Sequence, residues 1–455
     1  MSRLEILAER VVSLPTPAER GRRYARNAGL DLLGCVLAGT DHPYAVGARR
    51  ALGGYPGAAP LYGTGQSAAA PFAALCNAVA SHAYDFDDWE EPGNTHPSAV
   101  VFPALWALAA ERGGASGEDV LTAYAAGFEV IARLGEALNF EHYNQGWHST
   151  ATLGVIGAAG ACARLLGLDA ARVAQALSLA ISQASGYTCQ FGSAAKPLQA
   201  GFAARDGLTA ALLAEQGLTG QVRVLDAPTG FAALTSGVDP ARLDAVFGAM
   251  NKTETTDTAL DKWGVVLKPY PSCGYTHRLI DCALDLHGRV APDAIVSIRA
   301  ELPDFHYAIL AFDRPADRSQ ALFSAPFTLA TALLRGRFEM RDLDEENRSD
   351  PALRALIDRV EMAPQHPRRP ELNYDPDQPD RVSVALRSGE TLSAECAFPT
   401  GAPQNPMSHE QLTRKFSRNA AAVFDPLPDG ALDALAIWDQ ADAITPILDP
   451  FGGQT

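Results

Sequence analysis

Residues 119–138 read DVLTAYAAGFEVIARLGEAL. Val120, Leu121, Tyr124, Phe128, Ile131 and Leu134 recur at three- and four-residue spacing, which places them along one stripe of an α-helix. Tyr124 is the one amphipathic member of the stripe. Ser116 stands at an N-cap position, and Glu118 and Asp119 put negative charge against the positive end of the helix dipole. The same texture of small and straight-chain residues runs from residue 1 to about 265, so this region is expected to be helical. Ser149 to Leu166 is predicted as one apolar helix ended by Gly167. Asp169 then caps a helix running to about Ser182.

The pattern changes after Pro271. Residues 295–302, IVSIRAEL, alternate as a strand does, and 381–398, RVSVALRSGETLSAECAF, read as two strands around Ser388-Gly389. Ser324 to Leu334 is predicted helical, and 345–380, rich in Pro, Asp and Arg, mostly irregular. Helical texture returns after Pro406, with Ser408 as cap. The expected architecture is mixed. A large all-α helical domain comes from 1–269 and 399–455, and a smaller α+β lid domain, 270–398, is inserted into it. Ligand sites favour such domain junctions.

A chain of 455 residues is long enough for two domains, and 47% hydrophobic content is ordinary for a globular protein. The formal net charge of −16 argues against a nucleic-acid partner, which needs a basic face. The seven cysteines are odd in number, widely spaced and lack a C-x-x-C pair, which fits a reducing compartment better than disulfides or structural zinc. The first twenty residues lack the apolar run of a signal peptide, and the apolar run from Ala151 is stopped by Arg164, too short to span a bilayer. A cytoplasmic location without membrane attachment is expected. Gly63-Thr-Gly65 lacks the third glycine of a dinucleotide loop, and no Walker loop or G-x-S-x-G elbow occurs.

Four segments carry candidate chemistry. In 82–97, HAYDFDDWEEPGNTHP, five acids and two histidines are close enough to push one another's pKa values apart. Composition alone also fits a solvated acidic loop. His82, Asp85, Asp87 and His96 are further the donors that a metal-dependent hydrolase or hydratase would use, although their spacing matches no metal signature. The second segment, Tyr143 to Thr150, enters an apolar helix. Ser149 or Thr150 can cap it, its start can hold an anion, and His148 sits at the mouth. In the third, Lys196 stands among small residues. In the fourth, 268–278, KPYPSCGYTHR, Lys268, His277 and Arg278 can supply charge for carboxylates. Each segment alone also has a structural explanation as cap, turn or linker, and Cys273 reads as a small buried cysteine rather than a nucleophile.

In this order, DFDD, THPS, GWHSTATLG, LLGLDAARVAQALSLAISQASG, KPLQAG, KPYPSCGYTH, SAPFTLATALL and NPMSHEQLTRKF make the chain similar to the MmgE/PrpD family over most of its length. That family includes 2-methylcitrate dehydratase, cis-aconitate decarboxylase and iminodisuccinate epimerase. The resemblance implies a helical domain with a lid, a homodimer, and cofactor-free, metal-free acid–base chemistry on a small polycarboxylate. Carried over residue by residue, it implies catalytic Asp85, His96, His148, Lys196 and Lys268, with Tyr143, Ser149, Thr150, His277 and Arg278 as substrate-binding candidates. Proton abstraction α to a carboxylate in a 2-methylcitrate dehydratase-like lyase is the first expectation. Epimerisation of an amino-dicarboxylate such as iminodisuccinate, cis-aconitate-type decarboxylation, and carboxylate binding without chemistry are the alternatives. Three departures bear on substrate. Trp89 follows DFDD where many members have threonine, Gln199 stands where relatives often have histidine, and Phe327 stands where decarboxylase-type members have tyrosine. Each replaces a polar group that a hydroxylated tricarboxylate would use, and phenylalanine can donate neither a proton nor a hydrogen bond.

Overall fold

The computed structural model describes residues 1–250 and 257–452. The helical expectation for 251–256 lies outside the described residues. The described chain is mostly helical with two small sheets. Its long helices include Glu19–Gly39, Ala70–His82, Pro97–Glu111, Gly117–Leu138, Gly154–Leu165, Ala170–Ile181 and Ala195–Glu215. Ser116 caps the fourth of these by accepting from the Asp119 N–H, and all six stripe residues of that helix are buried. Asp169 caps Ala170–Ile181 in the same way. Ala and Gly run through the packed faces, so helix backbones approach closely. A Cβ on Gly127 would sit 2.9 Å from the Gly157 carbonyl oxygen.

Two hydrophobic cores form. One gathers residues between Leu4 and Leu267 with residues between Leu412 and Phe451, and the other gathers residues between Cys273 and Ala394. A small cluster of Trp89, Val266, Tyr374 and Ala402 lies apart from both. The second core is built on a four-stranded sheet, which contains β3 (Ile295–Pro303), β4 (Val360–Gln365), β5 (Asp380–Leu386) and β6 (Thr391–Cys396) in the order β4-β3-β5-β6. The β3–β5 and β5–β6 pairs are antiparallel, and β3–β4 is parallel. The helices His277–Leu286 and Ala325–Arg335 pack on it. Among the described residues no helix is long and apolar enough to cross a membrane.

Three expectations change. Residues 345–380 are not mostly irregular, because they supply the helix Pro351–Ile357 and the edge strand β4. Pro364 and weak alternation hide that strand in VEMAPQ, and an edge position tolerates the proline. The mostly helical region 1–265 also holds a hairpin, β1 (Ala59–Leu61) with β2 (Gln66–Ala68). Gly63 and Gly65 form its turn at φ of 77° and 69°, conformations that glycine adopts without strain. Finally, Ser149–Leu166 is split into Ser149–Thr152 and Gly154–Leu165, which places His148 at the head of a single turn.

Candidate active site

The helix Ala70–His82 ends at the 85–96 loop, which runs through the protein interior. Asp85, Asp87, Asp88 and Glu90 are all at most 2% exposed, so the acidic segment is no solvated loop. Its acids divide the work. Asp88 accepts from the Ser98 hydroxyl (2.5 Å) and backbone N–H (3.2 Å), tying the loop to the start of Pro97–Glu111. Glu90 braces the next turn by accepting from the N–H groups of Gly93 and Thr95. Asp85 and Asp87 are left to face the cations and imidazoles.

Asp85 adopts a left-handed backbone, φ 50°, a conformation that aspartate tolerates better than most side chains. Lys268 holds that turn. Its Nζ donates to the Asp85 carboxylate at 2.6 Å and to its carbonyl at 2.8 Å. Lys196 Nζ lies 3.1 Å from the same carboxylate oxygen and 2.7 Å from His82 Nε2. His82 Nδ1 lies 2.8 Å from Asp87. His82 therefore donates through Nδ1 to Asp87 and accepts from Lys196 through Nε2. This gives a relay of aspartate, neutral imidazole and ammonium. Among the imidazoles Asp87 orients His82, while Asp85 chiefly binds the lysines, with His96 Nε2 at 3.6 Å. His96 Nδ1 is 2.8 Å from the Asp88 carbonyl and 3.1 Å from Asp87.

His148 is 1% exposed, and its Nδ1 is 2.6 Å from Gln199 Oε1. An amide oxygen only accepts, so Nδ1 carries the proton and Nε2 is the bare nitrogen. Nε2 has no hydrogen-bond partner among the described residues. The Phe191 ring meets the His148 ring edge-on at 4.9 Å and stacks with Phe323 at 5.4 Å. Lys196 Nζ stands over both phenyl rings, at 5.4 and 5.5 Å. This aromatic wall keeps base and cation in one low-dielectric place.

Burial and charge separate the titrations. For Asp85, burial pushes upward, but Lys196, Lys268 and the two nearby histidines outweigh it and hold the carboxyl well below its usual range. For Lys196, burial lowers the pKa, and Lys268 adds to this against the pull of Asp85. For Lys268, burial is outweighed by Asp85 and Asp87, so its pKa is raised. Burial, followed by the charge of Lys196, drives His148 well below its ordinary value. Burial lowers His96 to about 3 despite Asp87. The surroundings thus favour the charged form of Lys268, weaken that of Lys196 and favour a neutral imidazole in His148.

These groups surround a cavity of about 30 Å³. Asp85, His96, Tyr143, His148, Lys196 and Lys268 line it, joined by Trp89, Asn94, Phe191, Cys273, Gly274, Tyr275 and Phe323. Four other candidates lie outside that lining. Ser149 is fully buried behind it, and Thr150 accepts from the His96 N–H at 3.1 Å. His277 contacts the Ser272 carbonyl, and Arg278 pairs with Asp380 behind Tyr374. Phe327 is buried in the smaller core against Phe338 and does not line the cavity. Sequence reasoning had placed His82 and Asp87 only in a metal cluster. Their signal was the five-residue step over the helix end, where His82 points back onto the loop. Gln199, met only as a departure, turns out to set the His148 tautomer.

Residues 5–244 match the MmgE/PrpD N-terminal domain, and residues 270–436 match the MmgE/PrpD C-terminal domain. The chain is 29% identical over 395 residues to the cis-aconitate decarboxylase of Homo sapiens, covering 83% of this chain and 76% of that protein. It is 30% identical to the Mus musculus cis-aconitate decarboxylase, covering 77% and 72%. With the Aspergillus terreus cis-aconitate decarboxylase it shares 27% identity, covering 92% and 89%. With two family domains spanning the two cores that enclose this site, the chain belongs to the MmgE/PrpD family.

Proposed function

We propose that the chain is a lyase whose side chains move a proton at a carbon beside a carboxylate of a small polycarboxylic acid. The observation that carries this is His148 Nε2, a neutral and unpartnered base facing the same cavity as two ammonium groups. Lys268 and Lys196 bind a carboxylate and take up the enolate-like charge that develops on it. In a dehydration, His148 takes the α-proton, the C–H pair becomes the new double bond, and hydroxide leaves with a proton from Lys196. His82 and Asp87 hold Lys196 in place for that transfer.

Dehydration of a hydroxy acid, a reaction of the 2-methylcitrate dehydratase kind, is our first assignment. Decarboxylation is the second, favoured by the names of the relatives. There the C–C bond to a carboxylate breaks as carbon dioxide leaves, the pair stays on the substrate, and an acid in the cavity returns a proton to carbon. Epimerisation, as of iminodisuccinate, would use His148 and an acid on the opposite face.

His82, Asp85, Asp87 and His96 each offer an atom within 4.8 Å of the others, a spacing that could hold a metal. The metal-dependent alternative is disfavoured because the Lys196 and Lys268 ammoniums already contact His82 and Asp85 there. We further propose that 270–398 acts as a lid on the unit formed by 1–269 and 399–455. A cytoplasmic homodimer is the expected assembly.

The test is proton NMR in deuterated water with 2-methylcitrate, citrate, cis-aconitate and iminodisuccinate, using the wild type, His148→Ala and Lys196→Ala. A new alkene marks a dehydratase, carbon dioxide a decarboxylase, and α-deuteration alone an epimerase. Turnover undiminished in both variants would refute the assignment of the site.

A further inference from the structure

Two residues lining the cavity carry a fully buried polar atom with no hydrogen-bond partner among the described residues, His148 at Nε2 and Trp89 at Nε1. The first is an acceptor and serves as the base. The second is an indole N–H, which can only donate. Of the other neutral donors nearby, the Ser149 hydroxyl is also buried without a partner among the described residues, Tyr143 brings a hydroxyl to the same lining, and two are engaged. Asn94 donates to the Tyr275 hydroxyl at 2.9 Å, and that hydroxyl donates to Asn373 at 3.1 Å. A buried donor left unpaired is costly and is seldom tolerated without a ligand or water to take it.

Trp89 is held firmly. Its backbone pairs in both directions with Val266, at 3.0 and 2.8 Å, and its ring is 4% exposed and meets Tyr374 edge-on at 5.4 Å. Space for the indole depends on Gly274, where a Cβ would stand 3.0 Å from Nε1. The ring thus fills room that a smaller residue would leave to the ligand. What remains is about 30 Å³, too little for any polycarboxylate unless the cavity widens, so the bulk of the ring weighs most against the larger acid.

Charge limits the ligand as well. Lys196 and Lys268 share Asp85, so the charged lining sums to one net positive charge while the histidines stay neutral. One carboxylate balances it. Each further carboxylate buried there needs neutral donors, a need that the Trp89 indole N–H and the Tyr143 hydroxyl can meet.

We propose that Trp89 is a specificity-determining residue of this site. Its N–H binds an oxygen of the substrate acid, and its ring restricts the site to compact dicarboxylates in preference to tricarboxylates. This rests on the assignment of the cavity as the carboxylate site, but its test does not require turnover.

The probes are succinate and propane-1,2,3-tricarboxylate, two unreactive acids, titrated calorimetrically into the full-length protein. The wild type should bind succinate more tightly. Trp89→Phe, which keeps the bulk and removes the N–H, should weaken succinate about ten-fold. Trp89→Ala should narrow or invert the preference. In ¹⁵N-tryptophan-labelled protein, succinate should shift the indole N–H resonance that Trp89→Phe deletes, a change that a purely structural Trp89 would not show. Tighter tricarboxylate binding by the wild type, unchanged succinate affinity in Trp89→Phe, an unmoved resonance, or no binding of either acid would each overturn the proposal. Selective binding with no turnover of any acid would leave it standing and refute the catalytic assignment alone.

Discussion

Removing the Lys268 ammonium should destabilise the protein through one pair of charges, and a double-mutant cycle can isolate it. Lys268 Nζ and the Asp85 carboxylate are 2.6 Å apart, and both residues are at most 2% exposed. At an effective dielectric constant of about 20, the direct attraction at that distance is about 6 kcal/mol. Lys196, 3.1 Å from the same oxygen, keeps part of the compensation in Lys268→Met. The expected loss is therefore about 3 kcal/mol, the low end for breaking a buried ion pair. Asp85→Asn should cost a similar amount, because it leaves two ammonium groups without their shared carboxylate. The double variant leaves no orphaned carboxylate, and Lys196 can discharge as a neutral amine beside His82. Its loss should fall short of the sum of the single losses by about 2–3 kcal/mol. The cycle separates this pair from the bond between Lys268 and the Asp85 carbonyl, since asparagine retains that carbonyl. The assay is urea unfolding at pH 7.5 followed by tryptophan fluorescence. Single losses that add to within about 0.5 kcal/mol would refute the view that this pair is the electrostatic anchor of the loop.

Further outcomes follow from the same geometry. His148→Gln should lower kcat by about 10²–10⁴-fold, the usual worth of a general base, with little change in affinity for succinate; an unchanged kcat would remove His148 from the chemistry. Gln199→Leu deletes the acceptor that fixes the His148 tautomer and should lower kcat while leaving KM nearly unchanged; a loss confined to KM would instead make Gln199 a substrate ligand. The pH profile of kcat should fall on the alkaline side at a pH below the ordinary lysine value of 10.5, because burial lowers Lys196 and its proton is lost as pH rises. No acid limb near pH 6.5 is expected from His148, which stays neutral well below that pH. Dialysis against a chelator should leave turnover intact; activity lost and then restored by a stoichiometric metal would favour the metal reading of His82, Asp85, Asp87 and His96.

Helix caps and alternating strands were legible because they are local. Ser116, Asp169 and Ser408 announce helix starts by a rule that spans three residues, and each accepts the N–H three residues on. Strands β3, β5 and β6 alternate, or flank a Ser-Gly turn, and were equally visible. Strand β4 was not, because its pairing with β3 is parallel and non-local and its own pattern is broken by Pro364. Composition misled most at the acidic loop. Five acids in a short segment look solvated until their partners are counted, and the partners lie far off in sequence. Lys268 is 183 residues from Asp85, and Lys196 is 114 from His82.

The division of labour within the site depends on the same distances. Residue types alone make Lys196 and Lys268 equivalent, and His82, His96 and His148 equivalent. What separates the lysines is position around a single carboxylate. Lys268 takes both the Asp85 carboxylate and its carbonyl, while Lys196 divides itself between Asp85 and a neutral imidazole that donates to Asp87. An ammonium held by an imidazole nitrogen gives up its proton more readily than one held by an aspartate alone, which is why the proposed mechanism takes Lys196 as the acid and Lys268 as the fixed charge. What separates the histidines is the partner of the second ring nitrogen. His82 is satisfied at both nitrogens, and His96 leans on a carbonyl. Of the three, among the described residues, His148, with Gln199 at Nδ1, has the fully buried ring nitrogen without a partner, whereas His96 Nε2 lies 3.6 Å from the Asp85 carboxylate. A glutamine at 199 secures that tautomer because its oxygen can only accept from Nδ1, whereas a histidine there would itself have to choose which nitrogen to protonate.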